Sequence, residues 1–194
     1  HYTKKQWNKY PEELDASVLE RIPVRNNFDD RYFTDKYQAL PKNGYTELIH
    51  NILNHTNINI KLNTDYFDFI NKNKFEKIIF TGPIDHFYSY IGLPKLEYRS
   101  INFVKETVDT DYYQSNSVIN YPGEEENFTR IVEYKHFYNQ ISDKTTIVTE
   151  YSTDDGEPYY PVPNNYNEQL YVNYKTLAEK EQNIHIVGRL ANSN

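Results

Sequence analysis

Two kinds of hydrophobic spacing run along this chain. In "NGYTELIHNILNH", residues 43–55, Leu48, Ile49, Ile52 and Leu53 recur at helical intervals behind Asn43 and Gly44, which predicts a helix over 45–54. Leu170, Tyr174, Leu177 and Ala178 repeat the spacing and predict a second helix late in the chain. Each helix precedes an extended pattern. "INIKLN" alternates with period two, "EKIIFTG" is a short apolar run closed by glycine, as in a strand buried on both faces, and "IHIVGR" reads as a strand ending at Gly188. Two helix-to-strand units point to one α/β sheet. "PEELDASVLE", residues 11–20, has Pro11 at its start and acids early, and predicts a short helix.

Between these units the texture changes. "LEYRSINFVKE", "NSVINYP", "FTRIVEYKHFY" and "TTIVTEYS" carry β-branched and aromatic residues in alternation, the pattern of an antiparallel meander. The fold class expected is therefore α+β: a twisted antiparallel sheet interleaved with helix and strand pieces of an α/β domain, two domains sharing one chain.

Composition narrows the chemistry. The 194 residues carry a net charge of −7, which argues against a nucleic-acid groove and makes any phosphate site local. No apolar run is long enough for a membrane span and "HYTKKQWNKY" has no apolar signal core, so a soluble, cytoplasmic protein without a membrane partner is expected. Cysteine is absent, which removes disulfides and thiolate chemistry. His50, His55, His86 and His136 do not fall at metal-ligand spacing, so no metal is expected. Methionine is absent even at position 1, and a start at "HYTKKQW" looks cut from something longer. "RIPVRNNFDDRYFTDKYQALP", residues 21–41, sets two arginines around Pro23 and follows them with Phe28, Tyr32, Phe33 and Tyr37. A β-edge would explain that composition; so would a site for a ligand carrying phosphates and a ring.

Nine strings, "YTKKQW", "RIPVR", "DDRYFTDKYQALPKNGYTELI", "TGPID", "LEYRSINF", "VINYP", "TRIVEYKHF", "GEPYYPVP" and "GRLA", occur in an order and spacing that resemble the UDP-galactopyranose mutases over nearly the whole chain. The resemblance implies an isomerase that interconverts UDP-galactopyranose and UDP-galactofuranose without net oxidation, with N5 of reduced FAD as the nucleophile at the anomeric carbon. It also implies three domains. Residues 1–20 would be the tail of a helical domain, 21–42 and 96–160 the antiparallel substrate sheet, and 43–95 with 161–194 pieces of the FAD-binding α/β domain.

By motif position, the resemblance makes Arg21 and Arg130 the catalytic arginines that steady the diphosphate leaving group, as guanidinium groups suit that charge. Tyr32 and Tyr160 match tyrosines that hold the diphosphate, and Tyr2 and Trp7 match residues at the uridine end, where an aromatic face can stack on a base. Arg99 and Asn120 fall on substrate-binding motifs, although Arg99 paired with Glu97 or Glu133 would look the same. Arg189 matches the arginine beside the flavin. Arg25 is expected to be structural, and Lys135 and His136 ordinary sheet residues.

The chain also departs from the family. It holds no G-x-G-x-x-G turn to cradle the FAD pyrophosphate, and the family's substrate tyrosine and aspartate beyond "GRLA" have no counterpart. A fragment of a mutase, binding FAD weakly or not at all and inactive alone, is expected; homo-oligomerisation stays open. A non-catalytic module binding a nucleotide or glycan through its tyrosines, or an interaction domain, would carry the same exposed residues.

Overall fold

The structure, a computed structural model, describes residues 1–20, 24–28, 33–138 and 140–191. In chain order its elements are α1 (Tyr2–Trp7), α2 (Ser17–Glu20), α3 (Gly44–Leu53), α4 (Tyr66–Ile70), β1 (Ile78–Phe80), α5 (Ile84–Phe87) and β2 (Tyr98–Val108). There follow β3 (Val118–Asn120), β4 (Arg130–Glu133), α6 (Lys135–Tyr138), β5 (Thr145–Thr153), β6 (Tyr160–Pro161), α7 (Asn165–Ala178) and β7 (Ile184–Ile186). The chain divides into two compact units, one of His1–Leu19 with Lys77–Asn194, the other Glu20–Glu76.

The larger unit holds both sheets. Strands β3-β4-β5-β2-β6 form one antiparallel sheet in that order, with β5 running along β2 from Ser100 opposite Thr153 to Val108 opposite Thr145. The antiparallel pairing is as expected, but the simple meander is corrected, since only β3-β4-β5 follow in sequence and β2 lies between β5 and β6. The strands expected in "EKIIFTG" and "IHIVGR" share one sheet as β1 and β7, which pair in parallel with Ile78 opposite Ile184. Phe80, Ile84, Phe87, Leu170 and Tyr174 are buried around that pair, and Tyr174 stacks on Tyr88 while its hydroxyl donates to the Pro94 carbonyl at 2.7 Å.

Helix α7 forms where its periodicity predicts. The Asn164 side chain caps it by accepting from the Asn167 N–H, 2.8 Å away. Buried Asn167 then donates to the Val162 carbonyl at 2.8 Å and accepts from the Glu97 N–H at 3.1 Å, tying α7 to the chain entering β2 and leaving β6. A second tie sits at the start of β2: the Tyr98 hydroxyl donates to the carboxylate of Asp85 at 2.8 Å and the Leu96 N–H donates to the same group at 3.2 Å. Burial first, and then the Asp85 charge, push the Tyr98 phenol above its ordinary range. Tyr98→Phe removes one of two donors from a carboxylate only 8% exposed and should cost about 1.5–3 kcal/mol in urea unfolding; a loss near zero would show that water replaces the phenol.

Several expectations are corrected. The helix expected over 11–20 is a 3-10 turn at Pro11–Glu13 and then α2, because Leu14 is extended and the Asp15 carboxylate restarts the helix by accepting from the Ser17 N–H at 2.8 Å. "INIKLN" is not a strand: Asn63 adopts a left-handed φ of 52°, no described strand pairs with the segment, and Leu62 is 79% exposed. β1 is not buried on both faces, since Phe80 turns inward while Ile79 turns out at 69% exposure. "FTRIVEYKHFY" stops being a strand at Glu133, and Lys135 and His136 lie on the helical turn α6. The described part of 21–42, residues 24–28 and 33–42, contributes no strand. In the smaller unit, α3 starts at Gly44, one residue earlier than expected.

Candidate functional site

Alternation along a strand puts every second side chain on one face, and residues directly opposite in a ladder share a face. Asn120 of β3 lies opposite Arg130 of β4, which lies opposite Glu150 of β5. Ser152, two residues on, shares that face and sits opposite Ile101 of β2; Arg99, two residues before Ile101, lies opposite Tyr160 of β6. One face of the sheet therefore carries Asn120, Arg130, Glu150, Ser152, Arg99 and Tyr160. Helix α1 lies against it and adds Tyr2, whose hydroxyl donates to the Asn120 side-chain oxygen at 3.4 Å, and Trp7.

Arg130 is half-buried between two strands. Its Nε donates to the Glu150 carboxylate at 2.6 Å, and among the described residues that is its hydrogen-bond partner, so both terminal guanidinium nitrogens keep their protons for another acceptor. Burial works against its charge, but Glu150 outweighs it, with Tyr2 and Tyr160 adding to the effect, so the guanidinium is held above the usual arginine range. A charged fork with its stem nitrogen anchored is a preorganised acceptor of a phosphate's oxygens.

Tyr160 gathers two further residues. The Trp7 ring meets it edge-on at 6.2 Å between centroids, and the Arg189 guanidinium carbon stands 5.2 Å from its ring centre. Trp7 is 6% exposed, so it serves as core as well as candidate ligand surface. Arg189 follows Gly188, whose φ of 113° suits only glycine, and the Gly188 position lies against the Thr81 backbone. Gly82 and Gly188 thus stand side by side at the carboxyl ends of the parallel strands β1 and β7, the place where α/β sheets receive nucleotides.

Arg99 differs from the rest. It is buried, its Nε donates to the Gln6 carbonyl at 2.9 Å, one terminal nitrogen donates to the Ser152 hydroxyl at 3.0 Å and the other pairs with Asp154. Neither Glu97 nor Glu133 is its partner. Glu97 accepts from Asn164 and Asn167, and Glu133 projects from the opposite face of the sheet. Arg21 and Tyr32 lie outside the described residues. Among the described residues no cluster of three His, Cys, Asp or Glu side chains could hold a metal, and no helix is long and apolar enough to cross a membrane.

Glu150, Ser152 and Asp154 are the site residues that sequence reasoning missed. Their spacing in "TEYSTD" places the first two on one face of a strand, but which residue lies opposite depends on the length of the excursion over 134–144, and no local pattern reports that.

The geometry meets an independent comparison. The family model described as UDP-galactopyranose mutase matches residues 1–193. A "Probable UDP-galactopyranose mutase" of Klebsiella pneumoniae is 42% identical over 97% of this chain and 50% of its own length. A dTDP-fucopyranose mutase of Escherichia coli is 40% identical over 98% of the chain and 52% of its own length, and a UDP-galactopyranose mutase of Mycoplasma genitalium 32% identical over 98% and 51%. The chain thus spans about half the length of the curated relatives it matches. With nearly every residue inside the match, and with Arg99, Arg130 and Tyr160 of its motifs on one face of a sheet, the chain belongs to the UDP-galactopyranose mutase family.

Proposed function

We propose that this chain supplies the sugar-nucleotide face of a UDP-galactopyranose mutase, an isomerase interconverting UDP-galactopyranose and UDP-galactofuranose. The observation that carries the reading is the state of Arg130: charged, anchored through Nε by Glu150, its terminal fork uncommitted among the described residues, and flanked by Tyr2, Asn120 and Tyr160. As the anomeric carbon–oxygen bond breaks, negative charge builds on the departing diphosphate, and a fixed guanidinium stabilises it without reorganising. Tyr160 orients a phosphate oxygen and Trp7 and Tyr2 take the uridine end, while Arg21 and Tyr32 are assigned to the diphosphate by motif position alone. The sugar then opens and recloses through a different hydroxyl, and the diphosphate oxygen returns to the same carbon, so atoms and electrons balance with no net oxidation.

Reduced FAD supplies the nucleophile for this chemistry when bound. The residues present fit one side of it: Arg189, at the carboxyl ends of two parallel strands and beside Tyr160, would hold it from that side and supply a cation to the negative charge of the reduced flavin.

The test joins this chain to the remaining half of the Klebsiella pneumoniae relative and supplies FAD under reducing conditions. With UDP-galactopyranose, chromatography should resolve the furanose product; dTDP-fucopyranose, named for the Escherichia coli relative, is the comparison. Turnover of the dTDP sugar alone would reject the proposed substrate and keep the reaction class. In the same enzyme Trp7→Ala should raise KM with little change in kcat, because contact with the uracil is equal before and during bond cleavage. A collapse of kcat at unchanged KM would remove Trp7 from the uridine end.

A further inference from the structure

Helix α1 is six residues long, far below the ~12–15 at which helices begin to persist alone, so its place is set by what grips it. The grips run across the sheet. Tyr2 reaches Asn120 at the end of β3, and Lys5 Nζ donates to the Tyr121 and Gly123 carbonyls just beyond it, at 2.6 and 3.0 Å. Asn8 donates to the Asp154 carboxylate at 3.3 Å, and Trp7 meets Tyr160 of β6. At the centre, the Gln6 carbonyl, one of the last four of the helix and so without an intrahelical partner, accepts from both Arg99 Nε at 2.9 Å and the Ser152 hydroxyl at 2.6 Å. The partial negative charge of a helix carboxyl end makes a buried guanidinium its natural counterpart. Asp154 completes the lock, since it neutralises Arg99 and also holds Asn8, the left-handed residue that ends the helix.

We propose that Arg99, Ser152 and Asp154 are positioning residues that clamp α1 through the Gln6 carbonyl, and so set the places of Tyr2 and Trp7 over the sheet. Arg99 acts through the helix rather than by touching a ligand: each of its guanidinium nitrogens already has a protein acceptor, and it is 4% exposed. The consequence for a bound sugar nucleotide rests on the function proposed above; the clamp itself does not.

Trp7 is the chain's single tryptophan, so intrinsic fluorescence reads its packing directly. Ser152→Ala removes one of the two donors to Gln6, Ser152→Thr keeps the hydroxyl, and Arg99→Lys keeps the charge but not the fork. In the 194-residue chain, Ser152→Ala and Arg99→Lys should red-shift the emission and raise acrylamide quenching while far-UV circular dichroism is preserved, and Ser152→Thr should restore both. Emission and quenching unchanged in folded Ser152→Ala would overturn the clamp, even if Arg99→Lys fails to fold. Titration of the same variants with uridine diphosphate separates the two ideas. A red shift accompanied by weaker binding supports both, whereas a red shift at unaltered affinity upholds the clamp and counts against Trp7 and Tyr2 as ligand contacts.

Discussion

Replacing Arg130 by alanine is expected to lower turnover by a factor on the order of 10² to 10³ in the full-length chimera, with a much smaller change in KM for UDP-galactopyranose. The reason lies in when the charge appears: the diphosphate is more negative as it departs than when it is bound, so the guanidinium contributes most in the transition state. Arg130→Lys should recover only part of the loss. In the native strand Nε holds Glu150 at 2.6 Å and leaves two other nitrogens for a ligand, whereas one ammonium must serve both. Steady-state kinetics that place the whole effect of Arg130→Ala in KM would show that Arg130 binds substrate and transition state alike.

The largest effect on stability is expected at the other end of β4. Glu133 is fully buried, and its carboxylate accepts from the Tyr113 N–H at 3.0 Å, the Gln114 N–H at 2.9 Å, the Thr145 hydroxyl at 2.7 Å and His136 Nε2 at 3.1 Å. Burial alone would raise its pKa. The donors from Thr145, Tyr113 and Gln114, with His136, outweigh burial and hold the carboxyl below its ordinary range. Glu133→Ala leaves these donors without an acceptor and should cost about 3–5 kcal/mol. Because the folded carboxyl is the more acidic one, its contribution is complete above the unfolded value of about 4.3 and is lost as pH falls toward the folded value. Urea unfolding followed at neutral and acid pH should therefore show the gap between wild type and Glu133→Ala closing in acid. A gap that widens in acid would mean that Glu133 is buried as the neutral acid, and a gap independent of pH that folding leaves its pKa unchanged.

The elements legible in the sequence are those whose side chains meet one clear boundary between core and water. The helical repeat of Leu170, Tyr174 and Leu177, with Asn164 ahead of it, produces α7, and alternation in "TTIVTEYS" produces β5. Where that boundary was assumed, the reading failed. "INIKLN" has the right alternation but no described strand to pair with, and the run through Glu133 turns helical where Lys135 is drawn to Asp111 and to the Ser142 carbonyl.

The site was legible one residue at a time and not as an assembly. Motif positions singled out Arg130, Asn120 and Tyr160, but the strand order β3-β4-β5-β2-β6, which sets residue 160 beside residue 99 and residue 150 beside residue 130, comes from long-range pairing. For the same reason Glu97 and Glu133 were plausible partners for Arg99 on paper, while Asp154, 55 positions away, is the partner in the fold.

Calorimetric titration of uridine diphosphate into the 194-residue chain tests most directly whether this face of the sheet receives a nucleoside diphosphate through Arg130. Wild type should bind weakly, and more weakly as salt rises, because exposed charge attraction is screened. Arg130→Ala should weaken the binding and Arg21→Ala with Arg130→Ala should abolish it. Tight, salt-insensitive binding that survives the double substitution would contradict the account.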